Sequence, residues 1–312
     1  MVLVVAAALG AGCAEGPGVA GATKVVGKVE PSPGCVRAPA DARRAGAVPA
    51  GAERTVSLQA GAVSGSYQLS VPRTYRFRRP TALILLFYGF GSDPAQFAAL
   101  THLPARGSTA GFLVAVPHDQ SGESEWQLSG HGTDATFVDA LVGSLEHRYC
   151  VDQGAVFAVG LSAGAAFTIA YSCAHEGQIA AIATVAVEFQ LGCSRPMPIL
   201  AFHGTSDPLV PYRNGATGLS LPGVKVRGTQ LNMGDWARLD HCRARSRRSV
   251  VGSQVVRQQW TACADRTTVV LYTILGGGHS WPGADPAAAI GLTTQEISAT
   301  SLALVFFGHL RG

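Results

Sequence analysis

Apolar residues fall along the chain in short blocks whose period changes between two and three to four. Thr55-Val-Ser-Leu-Gln59 and Ser66-Tyr-Gln-Leu-Ser-Val71 alternate polar and apolar, the pattern of half-exposed edge strands. Ala82-Leu-Ile-Leu-Leu-Phe87 has no polar position, as a central parallel strand buried on both faces requires. Further strands are predicted at 111–117, at 156–160, at 179–186, at 198–202 and at 268–275. Helices are predicted at 94–100, at 134–145, from Ala163 onward, at 231–239 and at 293–307. In the second of these Phe137, Val138, Leu141, Val142 and Leu145 recur at helical spacing, with Thr133 as a candidate N-cap. Strands that alternate with helices predict an α/β fold with a mostly parallel central sheet and helices on both faces. No internal repeat is visible.

The ends and the composition refine this picture. The run Met1–Cys13 is apolar and closes in small residues, like the hydrophobic core and cleavage region of a secretory signal. It is too short for a bilayer span, which needs about 20 residues. It lacks the positive flank of such a signal, so either the start lies further upstream or the signal is weak. Small residues before Cys13 also resemble a lipobox, with Gly10 where Leu is preferred. Residues 14–34 are rich in Gly, Pro and Ala and read as a flexible tether, leaving 35–312 as a single domain. With 47% hydrophobic and 14% charged residues the chain is globular in type. The formal charge of +4 is mild. The clusters Arg73/Arg76/Arg78/Arg79 and Arg243/Arg245/Arg247/Arg248 lack the interleaved aromatics of a nucleic-acid site and read as solvated faces. Seven cysteines include no C-x-x-C pair, which argues against a zinc ribbon or a thioredoxin-type centre. If Cys13 carries a lipid, six remain, enough for three disulfides in an oxidising compartment. Reduced core cysteines in a cytosolic protein are the alternative.

The chemistry gathers at Gly160-Leu161-Ser162-Ala163-Gly164, where an apolar strand turns directly into helix-forming residues. This is the nucleophile-elbow pattern G-x-S-x-G, whose glycines admit a turn too tight for side chains. An ordinary Gly-rich turn would show the same letters, so partners are needed. A serine hydroxyl is a poor nucleophile without a base, and the base needs an acid to fix its tautomer. In α/β-hydrolases acid and base follow the serine in that order, each after a strand. His279 lies beyond the last strand in a glycine-rich loop, and Asp207 directly follows the strand at 198–202. His203 precedes every usable acid, which breaks the order. His102, His147, His175 and His309 sit in or beside helices, and Asp235 and Asp240 on or near one. The oxyanion hole is expected from the backbone of Ala163 and of Phe90, in the glycine-rich turn after the strand at 82–87.

Five stretches together carry a resemblance: Tyr149-Cys-Val-Asp152, Val159-Gly-Leu-Ser-Ala-Gly164, His203-Gly-Thr-Ser-Asp-Pro-Leu-Val-Pro-Tyr212, Trp260-Thr-Ala-Cys263 and Gly276-Gly-Gly-His-Ser-Trp-Pro-Gly283. The chain resembles the secreted esterases that include poly(3-hydroxybutyrate) depolymerase-like proteins, feruloyl esterases and acetylxylan esterases. The resemblance implies an α/β-hydrolase fold, a Ser162/Asp207/His279 triad, no metal or other cofactor, and export to the cell envelope or medium. It also suggests disulfides Cys35–Cys150, Cys173–Cys193 and Cys242–Cys263. Where the family has His-Gly after the oxyanion strand, this chain has Tyr88-Gly89, so the acyl pocket is expected to differ in shape.

The expected activity is therefore that of a serine carboxylester hydrolase acting through an acyl-enzyme on Ser162. The stretch between elbow and acid is too short for a large lid domain, which suits a polymeric or bulky ester. Trp126, Trp281 and Tyr88 are candidate substrate contacts, with core packing the other reading of the two tryptophans. The expected partner is the ester substrate, a polyester or an acylated polysaccharide, with the chain a monomer. Membrane contact is expected only through a lipid at Cys13. The rival readings are an exported binding protein that keeps the fold without the chemistry, and a peptidase or thioesterase.

Overall fold

The computed structural model describes residues 28–36, 48–120, 125–213 and 227–311. The signal-like and lipobox-like segment ending at Cys13, and the tether as far as residue 27, lie outside the described residues.

The alternating blocks near the start form an antiparallel hairpin of β1 (Glu53–Ala60) and β2 (Val63–Ser70). The all-apolar block is β3 (Thr81–Phe87), with every residue buried. It is followed by α1 (Pro94–Thr101), capped by the Asp93 side chain, and by α2 (Leu103–Thr109). Next come β4 (Leu113–Pro117), α3 (Thr133–Arg148), β5 (Val151–Leu161), α4 (Ala163–Ala174), β6 (Ala181–Val185) and β7 (Ile199–Gly204). The C-terminal part adds α5 (Thr229–Leu239), β8 (Arg247–Val250), β9 (Val255–Trp260), β10 (Val269–Ile274) and α6 (Ala299–Leu310).

Among the described residues these strands make one sheet in the order β1-β2-β4-β3-β5-β6-β7-β10-β9-β8. The six central strands, β4 through β10 in that order, run parallel, and an antiparallel pair closes each flank. Burial follows the topology: β4, β6, β7 and β10 are wholly buried, whereas β8 at the far edge is wholly exposed. The chain leaves β3 for β4 on one side and returns past it to β5 on the other. The carboxyl ends of β3 and β5 therefore bound a topological switch point, where open α/β sheets form their sites. No large lid domain interrupts the sheet among the described residues.

The structure departs from the sequence reading in several places. Residues 28–34, read as tether, pack against the start of β5: Ser32 N donates to Val151 O at 2.9 Å, and Gln153 N to Glu30 O at 2.8 Å. Thr133 is the first residue of α3 and not its cap; Gly132 takes the cap position, and the Gln127 side chain accepts from Thr133 N at 2.8 Å. The terminal helix starts at Ala299, where Ser298 accepts from Ser301 N, and Thr293–Ile297 forms the loop before it. Helix α2 and the hairpin β8–β9 were not anticipated by the periodicity. Three disulfides join Cys35 to Cys150, Cys173 to Cys193 and Cys242 to Cys263.

Candidate active site

The apolar strand β5 ends at Leu161, and α4 begins two residues later. Only a sharp reversal at Ser162 connects them, and it places that residue at φ 57°, ψ −121°. Such a conformation costs a non-glycine residue on the order of 1–3 kcal/mol and persists only where the surroundings enforce it. Here Ser162 N donates to Val185 O at 3.0 Å, and Ser162 O accepts from Ala166 N at 2.9 Å. The flanking glycines are obligatory. A Cβ on Gly160 would lie 2.3 Å from Gly164 O, and one on Gly164 would lie 2.3 Å from Phe87 O. Ser162 itself stays partly accessible at the helix N-terminus, where free N–H groups favour negative charge.

Two strands away, β7 delivers Asp207 to the same sheet edge. Leu161 pairs with Val185 and Val185 with Phe202, so Ser162 and the turn after Gly204 emerge side by side across β6. Asp207 Oδ1 accepts from Leu209 N and Val210 N, each at 2.8 Å. Its Oδ2 accepts from His279 Nδ1 at 2.8 Å, with both side chains buried. Burial alone would raise the Asp207 pKa, but the hydrogen bonds it accepts from His279 and Val210 outweigh it and hold the carboxyl below its ordinary range. His279 arrives on Gly276-Gly277-Gly278, a loop that must pass close to other backbone. A Cβ on Gly278 would lie 2.2 Å from Ile290 O, and one on Gly204 would lie 2.2 Å from Gly277 O. His279 N donates to Ile290 O at 2.8 Å, pinning the histidine along the loop 290–292. Donation from Nδ1 leaves Nε2 as the basic nitrogen of a neutral ring. Among the described residues no hydrogen bond joins Ser162 to His279; such a bond commonly tightens only once substrate is seated.

The turn after β3 stands against the serine. A Cβ on Gly89 would lie 3.5 Å from Ser162 Cβ, and Ser92 N closes the turn on Gly89 O at 3.2 Å. Ala163 opens α4, so its N–H has no intrahelical acceptor. Phe90 projects into solvent at 67% exposure.

The three aromatic substrate candidates are buried, which for Trp126 and Trp281 is the core-packing reading and for Tyr88 departs from the expectation of a substrate contact. Tyr88 is 0% exposed; its hydroxyl donates to Asp119 Oδ1 and accepts from Asp119 N, each at 2.7 Å. Burial pushes its pKa upward, so it stays a neutral phenol. Trp126 donates from Nε1 to Tyr88 O at 2.9 Å and stacks on Phe167, with ring centroids 4.8 Å apart. Trp281 donates to Thr300 Oγ1 at 3.1 Å and meets Phe97 edge-on. These rings brace the loops that carry the site and do not line it. Glu188, which no motif marks, and His203, which the order of serine, acid and base excludes as the base, are buried behind Asp207. The signal for His203 was its position one residue before Gly204 in the stretch that supplies Asp207; Glu188 had none.

The strand order and the elbow together are those of the α/β-hydrolase fold. No family model matches the chain. It is 25% identical over 257 residues to the "Putative esterase NocK" of Nocardia uniformis subsp. tsuyamanensis, covering 73% of this chain and 74% of that protein. It is 28% identical over 160 residues to a "Probable feruloyl esterase C" of Aspergillus flavus, covering 48% of this chain and 58% of the relative. The chain thus spans little more than half the length of that feruloyl esterase. Among solved structures, an acetyl xylan esterase from Aspergillus awamori superposes with a TM-score of 0.56 at 13% identity, over 83% of this chain and 100% of that one. By its sequence relatives the chain is a carboxylic ester hydrolase, similar to a feruloyl esterase, and it shares the fold of the acetyl xylan esterase.

Proposed function

We propose that this hydrolase works through an acyl-enzyme on Ser162, with His279 as general base and then general acid and Asp207 orienting the imidazole. The observation that carries the reading is the buried 2.8 Å bond from His279 Nδ1 to Asp207, at the sheet edge where Ser162 is held in its strained turn. Ser162 Oγ attacks the ester carbonyl while its proton passes to His279, and the tetrahedral oxyanion is stabilised by the N–H groups of Ala163 and Phe90. Collapse releases the alcohol with the proton from His279. Water, deprotonated by the same imidazole, then frees the acid and restores Ser162.

The substrates proposed are bulky or polymeric esters: a polyester, a feruloylated polysaccharide or an acetylated xylan. In support, Phe90, Leu209 and Ile290 are 67%, 41% and 51% exposed and flank the residues next to Ser162, Asp207 and His279. Exposed apolar side chains on the loops beside these residues favour contact with an extended apolar or aromatic acyl group. The proposed setting is outside the cytoplasm, where three disulfides persist, with the chain acting as a monomer and Cys13 as a candidate lipid anchor.

Ser162→Ala should lower kcat/KM for p-nitrophenyl acetate by at least about 10³-fold with the circular dichroism spectrum unchanged. It should also abolish labelling by a fluorophosphonate. Retained turnover in the folded variant would overturn the assignment. A panel of the three ester classes against matched amides ranks the substrates and separates esterase from peptidase activity.

A further inference from the structure

Behind the Asp207–His279 pair the fold buries a second carboxylate and a second imidazole. Glu188, in the loop after β6, and His203, in β7, are each about 1% exposed. His203 Nε2 lies 2.8 Å from the carbonyl of Val210, a group that only accepts, so this nitrogen carries hydrogen. His203 Nδ1 lies 2.7 Å from Glu188 Oε2 and 2.9 Å from Thr229 Oγ1. The other carboxylate oxygen of Glu188 accepts from Asn232 Nδ2 at 3.0 Å, as an ionised group does. Acceptors at both ring nitrogens describe an imidazolium facing a carboxylate. Burial disfavours both charges, yet their attraction and hydrogen bonds leave Glu188 below and His203 above their ordinary values.

The pair also holds the turn that shapes Asp207. Val210 donates its N–H to Asp207 Oδ1 and offers its carbonyl to His203, and His203 Nε2 stands 3.5 Å from Asp207 Oδ2. That same oxygen accepts the hydrogen bond from His279 Nδ1. Among the described residues the ionisable groups packed round the His203 ring are Glu188, Asp207 and Tyr212, whose ring meets it edge-on at 5.6 Å. Helix α5 contributes the neutral Thr229 and Asn232, and His279 lies beyond Asp207.

We propose that the buried Glu188–His203 ion pair positions Asp207 for His279 and tempers its negative charge, with His203 a positioning residue that does not itself react. The inference rests on the Ser162/Asp207/His279 reading. The positive end of the pair faces Asp207 and offsets part of that carboxylate's pull on a proton at His279. The Asp207 carboxylate then pulls less strongly on the Nδ1 hydrogen of His279 than an isolated carboxylate would.

In the wild-type protein, 1H–15N spectra of the His203 ring should show both nitrogens protonated and unchanged from about pH 5 to pH 8. A singly protonated ring, or one that titrates in that range, overturns the proposal and leaves the role of Ser162 untouched. Glu188→Gln and His203→Gln both remove the positive end, the former because an unpaired buried imidazole gives up its charge. Each should move the acid limb of kcat/KM upward in pH, because Asp207 is left with its negative charge uncompensated. The double variant should move it no further. An acid limb that stays in place while kcat falls at every pH would show a merely structural pair and sink the idea. If His203→Gln does not fold, Glu188→Gln and the wild-type spectra decide. Turnover retained by Ser162→Ala would instead remove the reading on which the inference rests.

Discussion

Two buried aspartates respond to their surroundings in opposite directions. Asp207 faces His279 and stays ionised, so its contribution to stability is present above the ordinary carboxylate range and is lost as pH falls. Asp240, 0% exposed at the opposite edge of the sheet, accepts from Met197 N at 3.0 Å, but burial raises its pKa to about 6. Its protonated form is compatible with the fold; as pH rises through about 6, ionisation works against folding. Asp240→Asn keeps the acceptor and removes the charge. The variant should exceed wild type in urea unfolding by on the order of 1–2 kcal/mol at pH 8, with the difference shrinking toward pH 4. A constant difference across that range would contradict the assignment. At this scale the sequence was informative where backbone geometry restricts the choice. The elbow glycines and the chain order of serine, acid and base are legible because few residues satisfy them. Glu188 is not legible, since a glutamate in a loop after a strand has no signature. His203 was set aside by the order rule, which selects reacting groups and says nothing about those that position them. For Trp126 and Trp281 two readings stayed open, and Tyr88 was misplaced, because an aromatic in a glycine-rich loop does not reveal which side of the loop it faces.

Glycine has two opposite meanings at the level of the elements. In the elbow, a Cβ on Gly164 would press on Phe87 O at 2.3 Å and Tyr88 O at 2.4 Å, at the end of β3. Gly164→Ala must therefore push apart α4 and the turn that carries Phe90. It should destabilise the protein by roughly 2–4 kcal/mol, the scale of an overpacked core site, and lower kcat as the candidate oxyanion donor shifts. Gly143, inside α3, meets nothing within 4 Å, so Gly143→Ala should stabilise by up to about 1 kcal/mol and leave turnover alone. Thermal unfolding and initial rates on the two variants check both arms; equal effects would show that close approach at the elbow does not govern it. Elements were legible where burial imposes a period. The alternation of β1 and β2 and the apolar run of β3 follow from one or two covered faces. Strand β8 is Arg247-Arg248-Ser249-Val250 with every residue exposed, so nothing in its hydrophobic pattern marks it; it forms because β9 offers it an edge. Helix α2 is not legible because Gly107, a poor helix former, sits at its contact with β4, where a Cβ would lie 2.7 Å from the Val114 side chain.

At the scale of the whole molecule, covalent staples and chemistry occupy opposite edges of the sheet. Ser162, Asp207 and His279 all follow the carboxyl ends of parallel strands β5, β7 and β10. Cys150 directly precedes β5, Cys263 follows the end of antiparallel β9, and Cys173 lies in the last turn of α4, which runs back from Ser162. All three disulfides thus tie down the amino edge. The Cys35–Cys150 bridge spans 115 residues, against 20 and 21 for the other two. In the chain-entropy account a loop of that length restricts the unfolded state by about 4–5 kcal/mol, compared with roughly 3 kcal/mol for the short ones. It also clips residues 28–36 against β5, so its loss frees that segment as well. Cys35→Ser/Cys150→Ser should therefore lower the thermal midpoint more than Cys242→Ser/Cys263→Ser does. Both variants should keep wild-type kcat/KM for a small ester at temperatures where they remain folded, because no candidate catalytic group touches either bridge. A fall in kcat/KM without unfolding would mean that strain at the amino edge reaches the site through the parallel strands, and the separation of scaffold from chemistry would be lost.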